Sequence, residues 1–171
     1  IVVADPHRPG HEISSYPGEA NVRMADILLI NKVDTADSKD VEKVEKNLKL
    51  LNPSAYILRV ESPITVDDES KIRGKRVLAI EDGPTLTHGG MKYGAAYIAA
   101  QKLCASEIVD PRPYAVGSIK EVYKNFGNLE RGILPAMGYG TKQVKELETT
   151  VNNTPCDTVV IGTPVDLRRV L

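Results

Sequence analysis

Residues 26–51 read "DILLINKVDTADSKDVEKVEKNLKLL", and this stretch decides the fold. A short apolar run, 26–30, passes straight into Asn-Lys-Val-Asp. Beyond it Val41, Val44, Leu48 and Leu51 recur at three- and four-residue steps, which puts them on one face of a helix. Asn52-Pro53 stops that helix. The first run is too short for a helix and is apolar at consecutive positions, so it reads as a strand of a parallel sheet covered on both faces. The Lys/Glu run at 39–49 is the solvated face of the helix that follows. The unit is strand, loop, helix.

The same grammar repeats along the chain. Strands are expected at "IVVA" (1–4), "DILLI" (26–30), "YILRV" (56–60), "RVLAI" (76–80), "EIV" (107–109), "GILPA" (132–136) and "DTVVIG" (157–162). Helices are expected between them. "MKYGAAYIAAQKLCA" (91–105) is rich in small residues and suits close packing on a sheet. In "SIKEVYKNF" (118–126), Ser118 and Glu121 have capping-box spacing, and Ile119, Val122, Tyr123 and Phe126 form a stripe. "TKQVKELETTVNN" (141–153) buries Val144, Leu147 and Val151. Alternating strands and helices give an α/β class with a mostly parallel sheet and helices on both faces. The polar stretch 62–75 is the expected seam between two parts.

A chain of 171 residues suits one ordinary domain or two small ones. Its net charge of -1 offers no general attraction for nucleic acid or an anionic membrane. There is no apolar run of spanning length and no signal-peptide pattern. Cys104 and Cys156 lie too far apart in sequence for a metal-ligand motif or a disulfide framework, which points to a reducing, cytoplasmic setting. The chain opens at Ile1 inside a strand pattern and ends on "TPVDLRRVL"; both ends look cut, so it reads as a fragment of a longer protein.

Strand carboxyl ends in a parallel sheet emerge on one edge, and ligands bind there. On that edge the sequence places "DPHRPGH" (5–11), "NKVD" (31–34), "EDGPTLTHGG" (81–90), "DPRP" (110–113) and "TPVD" (163–166). All three histidines, Arg8 and Arg112 lie in these loops, with Arg168 close behind. In Asn-Lys-Val-Asp, the Asp34 carboxylate can accept from the ring N–H and the exocyclic amine of guanine, which adenine does not present. A site built for such donors is left unpaired by the wrong base, at roughly 1–3 kcal/mol per group. The Lys32 stem can lie along the base plane and Asn31 can tie neighbouring loops. The plain alternative is a turn in which Asn31 and Asp34 cap the next helix.

"EDGPTLTHGG" offers glycines and threonines whose N–H groups could face an anion at a helix amino terminus, or a simple connection capped by Thr87. No Gly-x-x-x-x-Gly-Lys-Ser/Thr loop occurs in the chain. Arg8 and Arg112 could fork onto a phosphate or carboxylate. His7 and His11 alone are weak evidence for a metal. "GYGTKQ" (138–143) starts like a dinucleotide fingerprint but has Gln143 in place of the third glycine.

Together "VVADPHRPGHE", "MADILLINKVDTAD", "IRGKRVLAIEDGPTLTHGGMKYGAAYIAA", "EIVDPRPYAVGSI", "LPAMGY" and "TPVDLRRVL" resemble the carboxy-terminal part of a family of archaeal and thermophilic bacterial proteins. That family is regarded as P-loop GTPases or cyclic 2,3-diphosphoglycerate synthetases. The resemblance implies a P-loop NTPase or Rossmann-like fold. Residues 1–66 would form the carboxy-terminal half of a nucleotide-binding domain and 72–171 a second α/β unit for an anionic substrate. It implies a nucleotide-driven ligase that closes an intramolecular phosphoanhydride, using ATP or GTP with Mg2+ held mainly by residues outside this chain. Base binding falls to Asn31, Lys32 and Asp34. Substrate or phosphate binding falls to His7, Arg8, Asp82, Thr85, His88, Gly89 and Arg112. The expected partners are a nucleotide and a small phosphorylated anion, with no nucleic acid and no membrane; a homodimer is one option. The competing classes are a regulatory GTPase switch and a non-catalytic small-molecule-binding module.

Overall fold

Strand β2 (Ile27–Asn31) is the middle of a three-stranded parallel sheet, between β1 (Val2–Ala4) and β3 (Tyr56–Val60). The register sets Ala4 beside Ile30 and Asn31 beside Val60. Parallel neighbours need crossovers, and these carry α1 (His11–Ser14), α2 (Gly18–Met24) and α3 (Ser38–Leu51). Leu28 and Ile30 are fully buried with Val22, Val41, Val44 and Leu48. The computed structural model describes residues 1–129, 132–138 and 140–170, which divide into two units, Ile1–Pro63 and Ile64–Leu171.

Both ends of α3 have a chemical cause. Asp37 accepts from Lys39 N at 2.9 Å and starts the helix. Asn52 ends it and is buried; its Nδ2 donates to Val22 O at 2.9 Å and Ala25 O at 2.8 Å, tying the end of α2 to the end of α3. Val3, Leu29 and Leu58 form one row across this sheet, with Val3 58% and Leu58 53% exposed.

In the second unit β4 (Arg76–Asp82) is the hub. It pairs in parallel with β5 (Glu107–Ile108) at its start, with β6 (Leu134–Ala136) at its end and with β7 (Thr158–Gly162) along residues 77–81. Among the described residues this unit carries α4 (Gly83–Thr87), α5 (Ala95–Lys102), α6 (Gly117–Asn125) and α7 (Thr141–Asn153). Leu78, Ile80 and Leu134 pack with Ile119 of α6 and Leu147 of α7. Ala96, Ala99 and Ala100 are buried on α5, where small side chains allow close approach.

Each expected strand is present, but in two sheets; among the described residues β3 pairs with β2 and β4 starts a new sheet. The loops expected on one common edge therefore fall into two groups, one on each unit. Two helix expectations also change. The helix expected over 91–105 begins only at Ala95. The capping box of Ser118 and Glu121 does not form. Glu146 of α7 accepts from Ser118 N at 2.9 Å instead, and Glu121 pairs with Lys124 at 2.7 Å. An acid one helix away serves the α6 terminus better than the local one.

Candidate functional site

The adjacent carboxyl ends of β1 and β2 bring "DPHR" and "NKVD" together in the first unit. Asn31 closes β2, and the chain then turns through Lys32 in a left-handed conformation, φ 62°. For a residue with a side chain this costs roughly 1–2 kcal/mol, and such positions concentrate at functional sites. The turn is held by Thr35 N and Ala36 N, both donating to Lys32 O at 3.1 Å, and by Val33 N donating to Val60 O at 3.3 Å. Asp34 Oδ1 accepts from Ser62 N at 3.0 Å, which ties this loop to the one after β3. Neither Asn31 nor Asp34 caps α3, because Asp37 does. The capping alternative for this motif is thereby removed.

Lys32 Nζ donates to Asp5 Oδ2 at 2.8 Å, and His7 N donates to Asp5 Oδ1 at 3.0 Å. Burial pushes the Asp5 carboxyl up, but the bonds from Lys32 and His7 outweigh it and hold the group below its ordinary range. His7 Nε2 lies 3.0 Å from Thr35 Oγ1. Arg8 stands 3.7 Å from Asp5, too far for a tight pair, and its Nε is buried without a hydrogen-bond partner among the described residues. Asp5 lies in the edge loop 5–11 but is not among the site residues the sequence singles out. Its signal was its place at the end of the strand beside Asn-Lys-Val-Asp.

The second unit treats its candidate residues differently. Asp82 caps α4, accepting from Thr85 N at 3.1 Å and Thr85 Oγ1 at 2.7 Å. His88 N and Gly89 N both donate to Pro84 O, at 2.9 and 3.0 Å, and His88 Nδ1 lies 3.0 Å from Thr87 Oγ1. Thr87 does not cap; its Oγ1 donates back to Gly83 O. Asp82, Thr85, His88 and Gly89, the residues expected to cradle a phosphate, are bonded to one another and to Pro84 and Thr87 here. The N–H groups such a cradle needs are spent inside a five-residue helix whose start already carries a carboxylate. Arg112 is likewise engaged, with its fork on Asp110 at 2.6 and 2.8 Å, and this bond holds the Asp110 carboxyl below its usual value.

Glu81, also missed by sequence reasoning, is buried at the amino end of α5, where its Oε1 accepts from Tyr97 N at 2.8 Å. Burial pushes its carboxyl up to about 7, against the backbone N–H groups of Tyr97, Ala96, Gly94 and Ala95. A Cβ at Gly94 or Gly162 would collide with its Oε2, so both positions need glycine. The α5 terminus therefore holds an internal carboxyl group. Tyr139, within the stretch 138–143, lies outside the described residues.

Among the described residues no group of three or more His, Cys, Asp or Glu is placed to hold a metal ion. No described helix is long and apolar enough to cross a membrane.

Residues 1–59 match the family model described as the CobW/HypB/UreG nucleotide-binding domain. Over 169 residues the chain is 61% identical to arginine synthetase ArcE of Thermococcus kodakarensis, covering 99% of this chain and 38% of that protein. The chain thus spans less than half the length of the curated relative it matches. These findings agree with an α/β fold of parallel sheets whose first part is P-loop NTPase-like.

Proposed function

We propose that this chain is the base-binding part of a nucleotide-dependent synthetase, in which Asn31, Lys32 and Asp34 surround a purine with guanine favoured. The observation that carries the reading is the loop after β2. It is bent through a left-handed lysine, tied to its neighbours through Asp5 and Ser62, and released from any capping duty by Asp37. The match of residues 1–59 to a nucleotide-binding domain supports it independently. Arg8 and His7 lie in the loop beside this site, where the Arg8 guanidinium can meet an anionic group of the bound ligand.

The relative's name makes arginine the first product to test. The resemblance to cyclic 2,3-diphosphoglycerate synthetases supplies the second. In the native-length protein, nucleotide turnover coupled to arginine formation supports the first, and turnover that requires 2,3-diphosphoglycerate supports the second. Hydrolysis stimulated only by a protein partner would turn the reading toward a switch.

The base grip has its own test. Asp34→Ala in the native-length protein is expected to weaken guanine-nucleotide binding by about tenfold or more, as loss of a charged hydrogen-bond acceptor does. Calorimetry with GDP and ADP measures it. An unchanged GDP affinity removes the base-binding assignment.

A further inference from the structure

The proposed base site has a member that the Asn-Lys-x-Asp pattern does not contain. Asp5 follows Ala4, which pairs with Ile30, so it stands beside the start of the base loop on the neighbouring strand. Its side chain is only 14% exposed, and its Oδ2 receives the Lys32 ammonium at 2.8 Å. From there a closed ring of contacts runs through both loops. Lys32 O accepts from Thr35 N, Thr35 Oγ1 meets His7 Nε2, and His7 N donates back to Asp5 Oδ1.

A lysine stem carries about 2 kcal/mol of rotamer entropy, and its ammonium, once ordered, needs a counter-charge. Asp5 supplies that charge from a strand end, the stiffest place available, and fixes the stem before any ligand arrives. The cost of ordering Lys32 then falls on folding and not on binding. The left-handed backbone of Lys32 gives the side chain a direction that an ordinary turn would not, and the Asp5 pair holds it there.

We propose that Asp5 is a positioning residue for nucleotide binding, acting through Lys32 to set the affinity of the base loop. This rests on the base-binding reading above. The Asn-Lys-x-Asp segment alone would then be an incomplete description of the site, because its lysine is oriented by a carboxylate 27 residues upstream in sequence.

The test is a double-mutant cycle in the native-length protein, with Asp5→Asn, Lys32→Met and the pair, titrating GDP and ADP by calorimetry and recording the thermal midpoint of each variant. Asp5→Asn is expected to weaken binding of the preferred nucleotide about tenfold beside Lys32, and less than threefold beside Met, since coupled residues are non-additive. A residue that only supports the fold lowers the midpoint and gives the same affinity factor in both backgrounds. The same factor in both, or no loss beside Lys32, overturns the proposal. If Asp5→Asn does not fold, Asp5→Glu takes its place in the cycle, and a coupling of threefold or more decides for the proposal and a smaller one against it. If Asp34→Ala leaves GDP binding unchanged, the base-binding reading itself falls. If Asp34→Ala weakens binding and Asp5 shows no coupling, only the positioning role falls.

Discussion

Asp34 and Asp37 are the same residue type one helical turn apart, and the structure gives them separate work. Asp37 caps α3 through Lys39 N, while Asp34 binds Ser62 N in the loop beyond β3. Asp37→Ala is therefore expected to cost about 1 kcal/mol of stability, the usual value of an N-cap, and to leave nucleotide affinity within twofold. Asp34→Ala is expected to act chiefly on affinity. Urea midpoints and calorimetry on the two variants separate the roles; an affinity loss on replacing Asp37 would mean that the whole loop, and not its motif, carries binding. The sequence shows both carboxylates but not which one caps. That depends on where the turn after β2 ends, and the left-handed Lys32 delays the helix start to Ser38.

At the scale of elements, the amino end of α5 shows why part of the site was illegible. A Gly- and Thr-rich segment between a strand and a helix invites an external anion. Here the group at that terminus is the chain's own carboxyl. Glu81 comes from β4, and the space for it is left by Gly94 before the helix and Gly162 from β7, three segments that only the folded sheet brings together. Strands and the stripe of α3 were legible because they depend on local periodicity; Glu81 follows the apolar run 76–80 and reads as the first polar residue of a loop.

The buried acid has a measurable consequence. Its folded value of about 7 lies above the ordinary 4.5, so the folded unit binds this proton more tightly than the unfolded chain does. The stabilisation is complete below pH 4.5, declines as pH rises and is gone above about 7. The span corresponds to about 3 kcal/mol at 1.36 kcal/mol per pKa unit. Asp5 and Asp110, held below their ordinary values, act in the opposite sense and at lower pH, losing their contribution only as pH falls through the acid range. Glu81→Gln is expected to flatten the stability profile between pH 5 and 7.5, measured by urea unfolding. A wild-type profile already flat there would mean that the N–H groups of α5 hold the carboxylate ionised despite its burial.

At the scale of the whole molecule, the chain carries separate hydrophobic cores. Leu28, Ile30, Val44 and Leu48 belong to one buried cluster of the first unit, and Leu78, Ile80, Leu134 and Leu147 to one of the second. Stability is therefore expected to be partitioned at the boundary near Pro63. Asn52 is the place to test this. Its amide ties α2 to α3, and its Oδ1 accepts from Ser54 Oγ at 2.8 Å and Ala55 N at 3.2 Å, so Asn52→Ala removes the amide's bonds to the Val22 and Ala25 carbonyls and to the Ser54 hydroxyl and Ala55 N–H, at about 1–3 kcal/mol for each buried group left unpaired where water does not replace the bond. Hydrogen exchange read by peptide mass should show lost protection in the strands and helices of residues 1–63, with those of 64–171 unchanged. Equal loss across both sets would mean that the two cores unfold as one cooperative body, and a nucleotide bound to the first would then stabilise the second by the same amount. With protection lost only in the first set, nucleotide binding at the loop after β2 stays local in its effect on stability.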